Sequence, residues 1–457
     1  MKNIYALNIY YKLIIYKLIF NNNMENETIN GLKSNTEKRG ELIPNKNKIK
    51  NRGKLMKRKI KNLFNLNKNK TNIINNDIDK NDTNNFISLI KKERNPGVDL
   101  LRIISMYNIV FHHCLGHGNG FRHFSQFKKE IYILHSLTGW HINGFILISG
   151  IVGYKTNKYS NLLYLWLTVL FYSVGIPKYF MYFKKGFNRN IVLYKEYFPL
   201  IFSRYWFFTY YFAMYLYLPV INKGIEYLTK YELRLVVMST IGIFILWKDY
   251  KNPREDIFHL NQGGSVVWFF ILYITGTFIG KYNTNYKGLK KYICCLMCII
   301  IFSIASYIYF KLMKNEFFIL IGNKRIDFPI QFKGMLTKNY NSLLTIVQSI
   351  SASLFFLQIH YNKYFAKVIC FFGPLVFGVY LIHDNEIVRG NIMRTIYDNK
   401  PKNLNSNIAL RLMLGTPLKI FICCIIIDYS RHLLFTLLRL KKIFMFLETK
   451  IKAKFNY

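Results

Sequence analysis

The sequence is poor in acidic residues and lacks the short motifs that mark common soluble enzyme folds. Lys and Arg total 64 against 23 Asp and Glu, which gives a formal net charge of +41. No phosphate-binding P-loop, dinucleotide-binding glycine motif or nucleophile elbow is present. These absences argue against a P-loop NTPase, a nicotinamide-dependent dehydrogenase and a serine hydrolase of the common type.

The shortage of acidic residues has two explanations. A basic chain can bind nucleic acid or the anionic face of a membrane. The composition of an A/T-rich genome, which enriches Lys, Asn, Ile, Tyr and Phe together, accounts for the charge without any ligand. The 35 Tyr and 39 Phe residues lie in apolar segments and are not interleaved with a basic groove. We therefore predict no nucleic-acid partner.

Paired cysteines are also lacking. The number of cysteines is odd, and no loop carries the spacing of a disulfide framework. All of them lie in or beside apolar runs, which predicts that they are small packing residues. They are Cys114, Cys294, Cys295, Cys298, Cys370, Cys423 and Cys424.

Long apolar runs, in contrast, recur from about residue 96 to 440, and many reach the roughly 20 residues that cross a bilayer. Only helices satisfy every backbone polar group in spans of this length. The pattern predicts an all-α, polytopic membrane protein of about ten transmembrane helices. We place them near residues 97–117, 132–154, 161–183, 206–222, 233–248, 265–281, 291–310, 342–360, 369–388 and 412–438.

Three regions follow from this pattern. Residues 1–95 are rich in Asn and Lys and bury too little apolar surface to fold, so we predict a largely disordered basic tail. The transmembrane domain occupies 96–440, and 441–457 form a basic C-terminal tail. Because both tails are basic and the span count is even, both termini are predicted to be cytosolic. The long loops, including 311–341, then lie outside.

The first predicted span carries ionisable residues that are costly inside a membrane. Asp99 and Arg102 are three residues apart, so they share a helix face and can pair. Arg102 and His113 are eleven apart, which is close to three turns and a rise of about 16 Å. Retained intramembrane charges usually indicate function. The alternative is that Arg102 reaches the head groups and His113 packs against a neighbouring helix.

The same helix carries His112 and His117 beside His113. His113 and His117 are spaced four apart, as two metal ligands on one helix can be. No carboxylate in the sequence nearby shares their face, so we predict no metal site.

Two further segments carry candidate site residues. Lys155 and Lys158 follow the second span, where they could bind the phosphates of a cofactor or simply anchor the cytosolic end. His383 lies beside Asp384 and Glu386 at the end of the ninth span. A histidine next to carboxylates can act in acid–base catalysis, or can begin a hydrated loop.

Several stretches in the same order together resemble the acyltransferase 3 family of integral-membrane acyltransferases. The first is the pair Arg102 and His113. The others are FILISG at 145–150, NLLYLWLTVLFYS at 161–173, YWFFTYYFAMYLYLPVIN at 205–222 and GVYLIH at 378–383. The resemblance implies about ten helices, an acyl-CoA donor and transfer of an acyl group, often acetyl, to a hydroxyl. It also implies that Arg102 and His113 are the essential pair.

One departure from the family pattern concerns the donor site. The family often has Arg-x-x-Arg after the second span, where this chain has Lys155 and Lys158. A lysine is a point charge and cannot clamp a phosphate with two parallel hydrogen bonds as arginine does. The two lysines are nevertheless our candidates for binding acyl-CoA.

The residues and the resemblance together predict a membrane acyltransferase that moves an acyl group, in the first instance acetyl, from acyl-CoA to a hydroxyl of a carbohydrate or related acceptor. The predicted catalytic residues are His113, Arg102, Asp99 and His383. His113 would be the general base, and Arg102 would hold the donor's phosphates or Asp99. A covalent acyl-histidine relay is an open variant. The rival functions are a transporter or flippase of a glycan or lipid-linked intermediate, and a membrane scaffold.

Overall fold

A computed structural model shows a helical protein with one short hairpin. The structure describes residues 94–154, 158–183, 194–251, 256, 258–282, 286–314, 316, 318–321, 324–327, 336, 339–398, 400–401 and 404–454. The predicted disordered tail lies outside the described residues, apart from its last two positions.

The helices of the first half are α1 (Pro96–Gly116), α2 (Gly120–His123), α3 (Lys128–Thr138), α4 (His141–Gly153), α5 (Tyr159–Phe183), α6 (Tyr194–Tyr197), α7 (Trp206–Tyr227), α8 (Lys230–Lys251) and α9 (Val266–Tyr282). The second half contains α10 (Gly288–Met313), α11 (Leu343–Gln358), α12 (Lys363–Phe372), α13 (Val376–His383), α14 (Glu386–Asn391), α15 (Ser406–Leu437) and α16 (Leu440–Lys454). Strands β1 (Phe318–Ile321) and β2 (Lys324–Asp327) form an antiparallel hairpin between α10 and α11.

Local signals fix the start of α1. The side chain of Asn95 accepts a hydrogen bond from Gly97 N–H at 2.9 Å, which satisfies one of the free donors at the helix start. Pro96 occupies the first turn, where its missing N–H costs nothing. The 21 residues of α1 then run without interruption, which gives a length of about 31 Å, close to the thickness of a bilayer's hydrocarbon core.

Helix α1 lies between two apolar clusters. One contains Val110, Phe111 and Cys114 of α1 together with residues of α13 and α15. The other contains Val98 and Leu101 of α1 together with residues of α4, α9 and α11. A polar side chain on α1 is therefore surrounded by protein, which is where intramembrane polar groups are tolerated.

Helices α4 and α9 approach so closely that their backbones touch. A Cβ atom at Gly150 would lie 2.1 Å from the carbonyl oxygen of Tyr273, and one at Gly276 would lie 2.2 Å from that of Leu147. Only glycine fits at such a contact, which is a common device for packing membrane helices. Gly150 and Gly276 therefore allow the contact between α4 and α9.

Two predicted spans are interrupted. The span at 132–154 is divided between α3 and α4. At the break, the Trp140 ring donates to the carbonyl of Leu137, and the His141 ring donates to the carbonyl of Thr138. These side chains compete with the backbone N–H groups that would donate to the same carbonyls in a continuous helix. The span at 369–388 is broken near Pro374, a residue that removes a helix hydrogen bond, and ends at His383.

Within the described residues, five helical stretches are long and apolar enough to cross a membrane by length and composition. They are Lys128–Gly153, Tyr159–Phe183, Gly288–Met313, Lys363–His383 and Ser406–Leu437. The count of ten spans stays a prediction. Helix α1 falls outside this set because ionisable and polar side chains interrupt its apolar surface. The cytosolic position of both termini also stays a prediction.

The predicted basic C-terminal tail contains the helix α16. Its residues are largely exposed, and its basic side chains suit the head-group region of a membrane. Glu448 ties it to α5 by accepting a hydrogen bond from Ser160 N–H at 3.1 Å. Partial burial opposes ionisation of Glu448, but hydrogen bonds from Ser160 and Lys452 outweigh it and lower the pKa of this carboxyl to about 2.

Candidate active site

The start of α1 holds a buried carboxylate between two arginines. Asp99 is fully buried, and Arg102 Nη1 lies 2.7 Å from its Oδ1 atom. Arg94 donates to both carboxylate oxygens, with Nη2 at 3.0 Å from Oδ1. The predicted pairing of Asp99 with Arg102 is thus confirmed. Two guanidinium groups face one carboxylate, so the cluster keeps one net positive charge with which it can attract an anion.

The far end of α1 brings His113 to the break that follows α13. His113 Nδ1 lies 3.0 Å from Nε2 of His383, a residue 270 positions later in the chain. The same nitrogen is 3.4 Å from Oδ1 of Asp384. His383 Nδ1 lies 2.6 Å from the carbonyl oxygen of Val379. Two predicted site residues, His113 and His383, are therefore in direct contact.

These contacts fix which nitrogens carry protons. The Val379 carbonyl can only accept, so the neutral His383 ring carries its proton on Nδ1. Its Nε2 atom is then an acceptor, and His113 donates to it from Nδ1. In this tautomer His113 Nε2 has a lone pair, and none of the described residues donates a hydrogen bond to it. Nε2 of His113 can therefore accept a proton from a bound molecule.

Asp384 places a buried carboxyl group next to this histidine pair. It is 3% exposed, and its Oδ1 atom lies 3.6 Å from Arg389 Nη1. A carboxylate at 3.4 Å from His113 stabilises the charged imidazolium that forms when Nε2 takes a proton. Glu386, the other carboxylate near His383 in the sequence, pairs instead with Arg204. Of these two carboxylates, Asp384 is the one that lies beside His113.

The structure corrects one step of the metal argument. Sequence reasoning found no carboxylate near His113 and His117, but the fold places Asp384 beside them. One ligand atom from each of these three residues lies within 4.8 Å of the others. The set has the chemistry of a transition-metal site. A cation bound there would compete with the hydrogen bond between His113 and His383. The absence of a metal site stays a prediction.

His112 faces a different environment, as its rotation of about 100° from His113 on the helix predicts. Its Nε2 atom lies 2.9 Å from the hydroxyl of Thr138. Its ring centre is 4.6 Å from that of His135 and 4.5 Å from that of His141. The two adjacent histidines of α1 therefore belong to separate polar clusters.

A model of the acyltransferase 3 family, described as an acyltransferase domain, matches residues 95–428. The chain belongs to the acyltransferase 3 family. The matched region begins at the residue that caps α1 and includes Arg102, His113 and His383. Searches of curated proteins and of solved structures give no significant match.

Family membership and the apolar helices together make this chain an integral-membrane acyltransferase. The protein lies in a lipid bilayer. The acyltransferase assignment favours group transfer over the transporter and scaffold alternatives. The match concerns the domain as a whole and assigns no role to individual residues.

Of the two lysines predicted to bind the donor of this acyltransferase, the structure describes one. Lys155 lies outside the described residues. Lys158 is exposed, and its backbone carbonyl accepts a hydrogen bond from Tyr215 OH at 3.0 Å. Nothing described blocks the Lys158 side chain from an anion, so the donor-binding role stays a prediction.

Sequence reasoning missed a second buried ion pair of the acyltransferase, in α15. Arg431 Nη2 lies 2.6 Å from Asp428 Oδ2, and Tyr172 OH donates to Asp428 Oδ1 at 2.9 Å. Arg431 also donates to the Tyr164 hydroxyl at 3.1 Å. The pair has the same three-residue spacing as Asp99 and Arg102, and that spacing could have revealed it. Because every charge is paired, we assign it a structural role that joins α15 to α5.

Proposed function

We propose that this acyltransferase moves an acyl group, in the first instance acetyl, from acyl-CoA to a hydroxyl of a carbohydrate or related acceptor. The observation that supports the proposal is the Nε2 lone pair of His113, which follows from the ring's hydrogen bond to His383 and to which no described residue donates. A hydroxyl is a poor nucleophile until a base takes its proton. In this proposal His113 is that base.

In the proposed reaction, the acceptor hydroxyl donates its proton to His113 Nε2 while its oxygen attacks the thioester carbonyl carbon. The new C–O bond forms, the C–S bond breaks, and the CoA thiolate leaves. The proton held by His113 then passes to the thiolate, which restores the neutral base. General-base assistance of this kind is worth about 10²–10⁴ in rate.

His383 and Asp384 have supporting roles in this proposal. His383 orients the His113 ring and holds its proton on Nδ1, so that Nε2 faces the acceptor. Asp384 stabilises the imidazolium form during transfer. His383 is therefore a positioning residue in this proposal, and not a second base.

The donor's anionic part would lie at the opposite end of α1. Arg102 is paired with Asp99 but still 26% exposed, so it retains donors for a phosphate. It is about 16 Å along the helix from His113, which suits a long donor whose charged and reactive ends are far apart. Asp99 holds Arg102 in place, and Lys155 and Lys158 would add positive charge for the donor's phosphates.

The same lone pair permits a covalent variant. His113 Nε2 could attack the thioester itself, release the thiolate and carry the acyl group to the acceptor. Acid quenching of the protein with radiolabelled acetyl-CoA, before acceptor is added, separates the two routes. Label on the protein indicates the relay, and its absence indicates direct transfer.

The test of the proposal uses the purified full-length protein with radiolabelled acetyl-CoA and a panel of carbohydrate acceptors. We expect label in at least one acceptor, and loss of transfer in His113→Gln, which cannot shuttle a proton. His360→Gln changes an exposed histidine and is the matched control. Undiminished transfer by His113→Gln, or no transfer to any acceptor by the wild-type protein, would refute the proposal.

A further inference from the structure

A polar cavity lies beside His112, on a face of α1 about 100° from the face that carries His113. Its volume is about 200 Å³. It forms where α10 ends and where α11 begins, which is the end of the domain opposite the Asp99–Arg102 cluster. Its lining residues are His112, His135, Gly139, His141, Gln262, Tyr309, Asn339, Tyr340 and Thr345.

The lining offers neutral donors and acceptors. The Thr138 hydroxyl donates to Leu134 O at 2.7 Å, so it accepts from His112 Nε2, which leaves Nδ1 of His112 unprotonated. His141 Nδ1 donates to Thr138 O at 2.7 Å, so His141 Nε2 is an acceptor. The hydroxyl of Tyr309, at 3.4 Å from His135 Nδ1, can donate or accept.

Among the described residues that line this cavity, none is Asp, Glu, Lys or Arg. An anionic ligand would find no countercharge among them, and an apolar chain would leave their polar groups unsatisfied at a cost. The rings of Tyr309 and Tyr340 add flat apolar walls, and Trp206 stacks behind Tyr340 at 6.4 Å between ring centres. Flat rings together with neutral hydrogen-bonding groups match a ligand with apolar C–H faces and hydroxyl edges.

The cavity lies next to the residue that precedes the proposed base. The ring centre of His141, which lines the cavity, is 4.5 Å from that of His112. The ring centre of Tyr340, on another wall, is 6.1 Å from that of His141. His112 and His113 are consecutive residues of α1, so a ligand held against His112 lies one helix position from the catalytic ring. The cavity and the base therefore form neighbouring parts of one region.

We infer that this cavity binds the acceptor of the acyltransferase, and that the acceptor presents a single neutral sugar ring to it. The inference rests on the proposed function and extends it by naming the place and the class of the acceptor. Drug-sized ligands occupy sites of about 300–1,000 Å³. A cavity of about 200 Å³ suits one monosaccharide unit, with the rest of a longer acceptor outside.

Direct binding tests the inference without requiring catalysis. The full-length protein in lipid nanodiscs, without acyl-CoA, is titrated calorimetrically with methyl glucoside, methyl galactoside and methyl mannoside. The Tyr309→Phe variant removes one hydroxyl from the cavity and keeps the ring. Tyr307→Phe is the matched control, because Tyr307 lies on the same helix but is 60% exposed, whereas Tyr309 is 4% exposed.

We expect saturable binding of at least one glycoside, weakened about five- to tenfold in Tyr309→Phe and unchanged in Tyr307→Phe, as loss of one buried hydrogen bond predicts. Absence of saturable binding by all three glycosides overturns the inference, as does equal affinity in the two variants. Glycoside binding without any acyl transfer counts against the proposed function alone. Acyl transfer with unchanged glycoside affinity in Tyr309→Phe counts against the cavity alone.

Discussion

The two ends of α1 show how differently one helix can assemble polar groups. At its start, Asp99 is paired with Arg94 and Arg102, all within nine residues of sequence. At its far end, His113 meets His383 and Asp384, about 270 residues away. The first cluster is local, and both carboxylate oxygens of Asp99 already accept hydrogen bonds from arginines. The second is long-range, and within the described part of the chain no residue donates a hydrogen bond to His113 Nε2.

This difference indicates a division of labour. The Asp99 carboxylate, whose oxygens both accept hydrogen bonds, stabilises the fold and orients Arg102. The His113 lone pair is available for chemistry. Changes at the far end should therefore lower kcat. Changes at the start should act on stability or on the KM for acyl-CoA, because a binding contact made equally in the ground and transition states appears in KM.

After the loss of transfer expected for His113→Gln, the largest effect is expected for His383→Ala. Without its Nε2 acceptor, the His113 ring loses both its orientation and its tautomer, so kcat should fall about a hundredfold, within the range of general-base catalysis. His383→Gln, whose amide oxygen can accept from His113 Nδ1, should recover much of the rate. Steady-state kinetics of both variants make the measurement. Equal activity of His383→Ala and wild type would remove His383 from the mechanism.

Asp99→Ala should reduce stability rather than catalysis. The change leaves Arg94 and Arg102 without their carboxylate, at a cost of about 1–3 kcal/mol, and thermal unfolding in detergent measures it as a lower Tm. The kcat of the folded fraction should remain near that of wild type, because Asp99 is about 21 Å along the helix from His113. A large fall in kcat at unchanged Tm would instead support the catalytic role first predicted for Asp99.

Arg102→Gln should raise the KM for acyl-CoA about tenfold, the loss of one charge-assisted hydrogen bond, with little change in kcat. The fold should tolerate it, because Arg94 still pairs with Asp99. Arg394→Gln removes an exposed arginine and is the control. An unchanged KM in Arg102→Gln would mean that this residue serves only Asp99.

The double variant Lys155→Ala, Lys158→Ala should raise the same KM by about two- to fivefold, as exposed charges contribute little each. The effect should shrink at high salt, which screens exposed charges. Lys287→Ala with Lys290→Ala has the same spacing on exposed residues at the start of α10. If both double variants behave alike, Lys155 and Lys158 are ordinary membrane anchors.

The smallest effect is expected from metal removal. Because His113 acts as a base in the proposed mechanism, treatment with a chelator should leave kcat and KM unchanged. Activity is measured before and after dialysis against a chelator, and again with added Zn²⁺. Loss of activity on chelation with recovery on Zn²⁺ addition would make His113, His117 and Asp384 ligands of a catalytic metal.

Much of the helical pattern can be predicted from the sequence. Apolar runs locate the helices, Asn95 and Pro96 mark the start of α1, and the three-residue spacing predicts the Asp99–Arg102 pair. The interruptions were not predicted, because side chains such as Trp140 and His141 compete for backbone carbonyls only once their surroundings are formed. An apolar run shows no sign of this competition.

The sequence by itself determined that the chain is a helical membrane protein, that it resembles a known acyltransferase family, and that Arg102 and His113 share a face of one helix. The length of the apolar runs and helical geometry suffice for the first and third of these conclusions. The second rests on matching stretches in the same order. Only the tertiary structure decided that His113 meets His383 and Asp384, that Glu386 does not, and that His112 lines a separate cavity. Contacts between distant helices depend on which faces pack together, and that choice is made by the whole folded domain.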